Sequence, residues 1–266
     1  MSERLTRTRS EELINILREF SIDEVLSIEK KFDEQFHALK YLYHNCLQDC
    51  RVYLVLIVLN ALSSYMLNCT GEEYWWEFSR YFCSSRNMIK KLESTGIINV
   101  FKDFLRRSKC NKRFLETKLR RVDRVIQLIN SLIQDIDAYA CSSEKLLEEL
   151  VERLGGRRDA KTLVFTVKMF NYGLRICTGQ RYVLPFTISI PVDNRISKIS
   201  NALGIKQRIT EFWNNVSKIV KIPPLHIDSL LWVAYRYMKR REKTGHRKFD
   251  RLILFLQKIL IENTFA

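Results

Sequence analysis

The first proline of the chain is Pro185, so the 184 residues before it contain no residue that would break a helix by lacking an N–H. In all, 266 residues include only 4 prolines and 8 glycines, too few turn formers for the closely spaced strands of a sandwich or barrel. Hydrophobic residues make up 46% and charged residues 28%, which supports a large core and excludes wholesale disorder. The expected class is all-α, with about ten helices in one large domain or two associated lobes.

Local signals place the helices. Ser21 and Glu24 form a capping box before Val25, Leu26 and Ile28, and Thr70 with Glu73 repeats it before Tyr74, Trp75 and Phe78. One long amphipathic helix is expected from about Phe114 to Tyr139. Another opens at Ser142 and ends at Gly155-Gly156, and the next begins near Ala160. From Thr178 to Val192 two prolines and β-branched alternation predict an extended connection instead. Helix resumes at Asp193, and after Pro223-Pro224 two more helices cover about His226 to Arg241 and Arg247 to Glu262.

Lys and Arg number 45 against 30 Asp and Glu, a formal net charge of +15. Such an excess suits a polyanionic partner, because bound cations release counterions from a phosphate backbone. A merely solvated basic surface is the competing reading. Two basic stretches interleaved with apolar residues, Lys102 to Arg124 and Lys239 to Arg251, favour nucleic acid. The N-terminus lacks the apolar core of a secretory signal, and the apolar run Val52 to Met66 is too short and polar to span a bilayer. That run is expected to be a buried core helix. The seven cysteines form no CxxC pair, and His37, His44, His226 and His246 show no ligand spacing. No metal or other cofactor is expected, and Cys46 and Cys50 are read as free buried thiols. An intracellular protein with no membrane association follows, operating in the cytoplasm or nucleoid.

The most informative segment runs from Leu146 to Phe170: two amphipathic helices joined by Gly155-Gly156-Arg157-Arg158-Asp159. A hairpin of this kind presents amide N–H groups at the start of its second helix, a fit for a DNA phosphate. Lys161 lies in that helix's first turn, where the dipole disfavours an ammonium ion, and partial burial would free its amine as a nucleophile. An ordinary exposed lysine is the alternative. Pro191-Val192-Asp193 sets a carboxylate at a helix N-cap, a structural position that can also stabilise a developing cation or move a proton.

A hairpin lysine, an extended connection and a Pro-Val-Asp cap together resemble the helix–hairpin–helix superfamily of DNA glycosylases. The chain is most similar, over nearly its whole length, to the archaeal 8-oxoguanine DNA glycosylase/lyase family. The carrying residues are Lys161-Thr162-Leu163-Val164-Phe165, Ile190-Pro191-Val192-Asp193, Asp228 with Trp232, Gln35, and Tyr74-Trp75-Trp76. Lys161 and Asp193 lie 32 positions apart, an interval similar to that family's. The hairpin departs from the superfamily's Gly-hydrophobic-Gly form, reading Gly156-Arg157-Arg158-Asp159-Ala160.

The resemblance implies a bifunctional DNA-repair enzyme that flips out and removes 8-oxoguanine, then nicks the strand by β-elimination. Lys161 would be the Schiff-base nucleophile, assisted by Asp193. Phe165 and Trp232 would stack the base, Gln35 and Asp228 would read its polar edge, and one of Trp75 and Trp76 would reach the pocket. Gly155, Gly156, Arg157 and Arg158 would meet the phosphates. The expected partner is double-stranded DNA carrying 8-oxoguanine, with single strands also admitted, bound by a monomer. Two helical lobes would border a central cleft: a middle lobe of residues 46–145, and a second lobe of 1–45 with 146–266. The alternatives are a glycosylase for another damaged base and a non-catalytic helical nucleic-acid-binding protein.

Overall fold

A computed structural model describes residues 3–89 and 94–262, which are helical with no strand among them. In chain order the helices are α1 (Glu3–Arg18), α2 (Ile22–Phe32), α3 (Glu34–Leu42), α4 (Cys50–Ser63), α5 (Gly71–Ser84), α6 (Arg86–Ile89), α7 (Ser94–Arg107) and α8 (Leu115–Arg124). There follow α9 (Ile126–Gln134), α10 (Ile136–Cys141), α11 (Ser143–Leu154), α12 (Lys161–Thr178), α13 (Asn194–Ala202), α14 (Ile209–Val220), α15 (Pro224–Arg240) and α16 (Arg247–Glu262). A π turn, Tyr43–Leu47, links α3 to α4.

Both expected capping boxes form, with Ser21 and Thr70 each accepting from the amide of the glutamate three residues on and receiving that glutamate's carboxylate on their own N–H. The long helix expected from Phe114 to Tyr139 is instead three, α8 to α10. The chain bends at Val125 and again at Asp135, whose side chain caps α10 by accepting from the Ala138 amide. Each bend turns a fresh apolar face inward, burying Leu119 and Val122, then Leu128, Ile129 and Leu132, then Tyr139.

The chain forms two compact units, residues 1–33 with 186–266, and residues 34–185. The division differs from the expected lobes: α3, α11 and α12 belong with the middle helices. The reason is packing. α4 is buried on all sides from Tyr53 to Ser63, and α12 lies against it more extensively than any other pair of helices. Gly173 permits the approach, since a Cβ there would fall 2.6 Å from both Leu54 Cδ2 and Ile57 Cδ1.

The cysteines correct a second expectation. Three disulfides join Cys46 to Cys83, Cys50 to Cys177 and Cys69 to Cys110, all within the 34–185 unit, and Cys141 is the free thiol. Cys50 opens α4 and Cys177 lies near the end of α12, so one bridge fastens the pair of helices that defines the unit.

In the other unit, Leu13, Leu17, Phe20, Ile28, Trp213, Leu230, Leu231, Phe249 and Leu252 belong to one apolar cluster drawn from α1, α2 and α14 to α16. A buried pair, Glu29 Oε1 and His226 Nδ1 at 2.8 Å, fastens the first turn of α15 to α2. The connection from Gly179 to Asp193 is irregular, as expected, and contains the boundary between the units.

Candidate active site

The 34–185 unit carries the hairpin. α11 ends with Gly155, whose N–H bonds the Val151 carbonyl at 2.8 Å, and Gly155 and Gly156 both have positive φ, at 73° and 101°. Left-handed and extended positive-φ geometry costs a side-chain-bearing residue heavily, so the glycine pair is what lets the turn close. Gly155, Gly156, Arg157 and Arg158 are exposed. Arg157 forks onto Asp159, with Nε–Oδ1 at 2.9 Å and Nη2–Oδ2 at 2.8 Å. Arg158 lies 3.7 Å from Glu148. The N-cap of α12 is Ala160, which has no side chain to accept from the helix's first amides.

Lys161 is the first residue of α12 and is exposed, so the partial burial considered for it is absent. Phe165 follows one turn later on nearly the same face. Its ring meets Trp75 edge to face, with centroids 6.3 Å apart at 64°. Trp75 is fully buried on α5, packs against Phe78 at 5.6 Å, and its indole Nε1–H has no hydrogen-bond partner. Trp76 points elsewhere and donates to Glu34 Oε2 at 3.1 Å. Of the two tryptophans, it is Trp75 that joins the Phe165 group. Gln35, in the first turn of α3, is buried despite its polar side chain.

Sequence reasoning missed Lys168, which is almost wholly buried on α12 with its ammonium 5.8 Å from the Tyr172 ring centroid. The signal was present. Seven residues make nearly two helical turns, so Lys168 falls on the same face as Lys161.

The other unit holds the remaining predicted residues. Asp193 caps α13: Oδ1 accepts from the amides of Arg195 and Ile196, both at 2.9 Å. Its Oδ2 faces the Arg195 guanidinium, with Nη2 at 2.5 Å and Nε at 3.1 Å. The same guanidinium lies over Trp232, its Cζ 3.0 Å from the ring centroid. Asp228, one turn before Trp232 on α15, is nearly buried at 5% exposure. Arg195 was not among the predicted residues, and only its spacing of two from Asp193 marks it in sequence. The four predicted residues of α3, α5 and α12 and the three of α13 and α15 therefore stand in different units, Gln35, Trp75, Lys161 and Phe165 in one, Asp193, Asp228 and Trp232 in the other.

A helix–hairpin–helix with a lysine opening its second helix, and an aspartate capping a later one, is the arrangement that resembles the helical DNA glycosylases, and the comparisons with known proteins place the chain in that class. A sequence profile described as AGOG, N-glycosylase/DNA lyase, matches residues 14–263, and the chain belongs to this family. The N-glycosylase/DNA lyase of Methanococcus maripaludis is 37% identical over 222 residues, covering 83% of this chain and 85% of that protein. That of Thermococcus kodakarensis is 37% identical over 226 residues, covering 84% and 83%. Among solved structures, the 8-oxoguanosine complex of Pa-AGOG, the 8-oxoguanine DNA glycosylase of Pyrobaculum aerophilum, superposes with a TM-score of 0.76 at 29% identity, covering 94% of this chain and 96% of that one. The protein is thus a bifunctional enzyme of DNA repair, an N-glycosylase and a DNA lyase, and DNA is its substrate. No described helix is long and apolar enough to cross a membrane.

Proposed function

We propose that the base removed is 8-oxoguanine, with Lys161 as the nucleophile. The observation that carries this reading is the α12 stripe: an exposed Lys161, then Phe165 against Trp75, whose buried indole N–H has no partner. A buried donor left unmatched is unfavourable by about 1–3 kcal/mol, and a ligand acceptor would recover it. The solved relative with 8-oxoguanosine bound supports the choice of lesion.

In the reaction, the Lys161 Nζ lone pair attacks C1′ of the damaged nucleotide. The C1′–N9 bond breaks, its electrons leave with the base, and the base takes up a proton. The amine loses a proton, the sugar ring opens and a Schiff base forms. Loss of a C2′ proton then expels the 3′ phosphate and nicks the strand. The Asp193 carboxylate opposes the positive charge developing on the sugar and accepts the amine's proton. Phe165 and Trp232 supply aromatic faces for the extruded base. Gln35 and Asp228 read its polar edge, where 8-oxoguanine carries an N7–H that guanine lacks and so requires an acceptor. Gly155, Gly156, Arg157 and Arg158 meet phosphate, the amides of the uncapped α12 contributing. The protein acts as a monomer on double-stranded DNA, with single strands also admitted, in the cytoplasm or nucleoid.

A panel of duplexes, each with one lesion, tests the reading. Nicking at 8-oxoguanine and not at uracil, an alkylated purine or intact guanine is expected. Faster nicking at another lesion would replace the substrate.

A further inference from the structure

The position of Arg195 has no part in the chemistry above. Its guanidinium is planar, lies over the Trp232 ring with Cζ 3.0 Å from the ring centroid, and holds Asp193 Oδ2 through both Nε and Nη2. A flipped purine is also a planar group that stacks on an aromatic face at van der Waals distance. Two planes cannot share one face of an indole. Arg195 is a fifth exposed, with its side chain at 21% and Asp193's at 12%, so it is ordered between two partners yet reachable from solvent.

We propose that Arg195 is a placeholder: in the protein without substrate its guanidinium occupies the stacking face of Trp232 and covers the Asp193 carboxylate, and base entry displaces it. The proposal rests on the reading of Trp232 as a base-stacking residue and Asp193 as a catalytic one. Three physical features make the arrangement apt. Guanidinium stacks on indole with electrostatic attraction, so the face is not left to water. The ion pair holds the carboxylate in place without a DNA phosphate nearby. Arg195 makes both contacts through its side chain, so the cation can leave by side-chain rotation alone, with no movement of α13 required, because the helix cap uses Asp193 Oδ1 and not Oδ2.

A placeholder lowers the apparent affinity for any base by the fraction of time the face is open, and lowers it equally for all bases. It therefore governs occupancy and leaves discrimination to the groups that read the base edge. Removing the guanidinium raises affinity for 8-oxoguanosine and for guanosine by a common factor, on the order of tenfold, which corresponds to about 1.4 kcal/mol. A residue with a merely structural role would lower both affinities on removal.

Two measurements on the whole protein test this. The first is the proton and nitrogen NMR signal of Arg195 Nε–H, assigned by its loss in Arg195→Lys. The indole ring current shifts it upfield in the protein alone, and saturation with 8-oxoguanosine abolishes that shift. A signal unchanged while the nucleoside binds would overturn the placeholder and leave the base-excision reading standing. The second is calorimetric binding of both nucleosides to wild type and Arg195→Gln, with melting temperature as a folding control. Tighter binding of both by a similar factor supports the proposal. Weaker binding, or a gain confined to 8-oxoguanosine, overturns it. Failure of wild type to bind 8-oxoguanosine at all, together with no nicking at 8-oxoguanine, would instead remove the reading on which the proposal rests.

Discussion

Three disulfides in one unit of a DNA-repair enzyme make a quantitative claim about stability. The Cys46–Cys83 and Cys69–Cys110 bridges close loops of 37 and 41 residues, and Cys50–Cys177 closes one of 127. Restricting the unfolded chain by loops of these sizes stabilises the native state by about 4 kcal/mol for each shorter loop and about 5 kcal/mol for the longest. The three overlap in sequence, so their effects combine less than additively. The Cys50→Ser/Cys177→Ser double variant isolates the longest loop. For a unit of this length, residues 34–185, each kcal/mol corresponds to roughly 2–4 °C, so the calorimetric transition should fall by roughly 10–20 °C. Because Cys177 lies in the last turn of the helix that Lys161 begins, activity at high temperature should be lost in parallel. Titration of thiols in denaturant supplies the direct assay. One thiol, Cys141, is expected before reduction and all seven cysteines after it. Seven reactive thiols without reductant, or a double variant that melts with wild type, would refute the reasoning.

Lys118 is fully buried, donates to Asn111 Oδ1 and lies 4.7 Å from the Tyr65 ring centroid, and burial lowers its pKa from 10.5 to about 8. Between those values the unfolded chain holds a proton that the native state has released, so stability rises with pH from about 8, by up to about 3 kcal/mol. Above about 10 the rise reverses, because Tyr53 and Tyr74 are held neutral by burial while the unfolded chain's tyrosines ionise. Denaturant unfolding across this range should show the slope, and Lys118→Met should flatten it; an unchanged slope would contradict the assignment. Gly173→Ala forces a methyl group to within 2.6 Å of Leu54 and Ile57, and overpacking of about 1–3 kcal/mol should outweigh the gain in helix propensity of about 1 kcal/mol. A stabilised variant would show that the close approach of α12 to α4 relaxes freely. Trp75→Phe keeps the ring contact with Phe165 and removes the indole N–H, so 8-oxoguanosine affinity should fall about tenfold with the melting temperature nearly kept; unchanged affinity would separate Trp75 from the base.

What was legible in the sequence was local. The Ser21 and Thr70 capping boxes, the Asp193 cap and the glycine turn before α12 each depend on residues within a few positions, and each forms as expected. The burial of α4 was legible because an apolar run without periodicity has no polar face to show to water. The misses concern distant partners. The cysteine pairs are separated by 37, 127 and 41 residues, and no local pattern says which thiols meet. The same holds for the unit boundary, which depends on Gly173 admitting α4. Trp75 and Trp76 differ by one position, and only their distant partners, Phe165 for the first and Glu34 for the second, decide between them. Arg195 was invisible for a further reason: its partner Trp232 lies 37 residues away on another helix.

The assignment of Lys161 is tested most directly by borohydride trapping on a duplex bearing a single 8-oxoguanine. Borohydride reduces the Schiff base to a stable amine, and peptide mapping locates it. The adduct should lie on Lys161 and be absent from Lys161→Gln. An adduct that persists in Lys161→Gln, or maps to the buried Lys168 on the same helix face, would contradict the account.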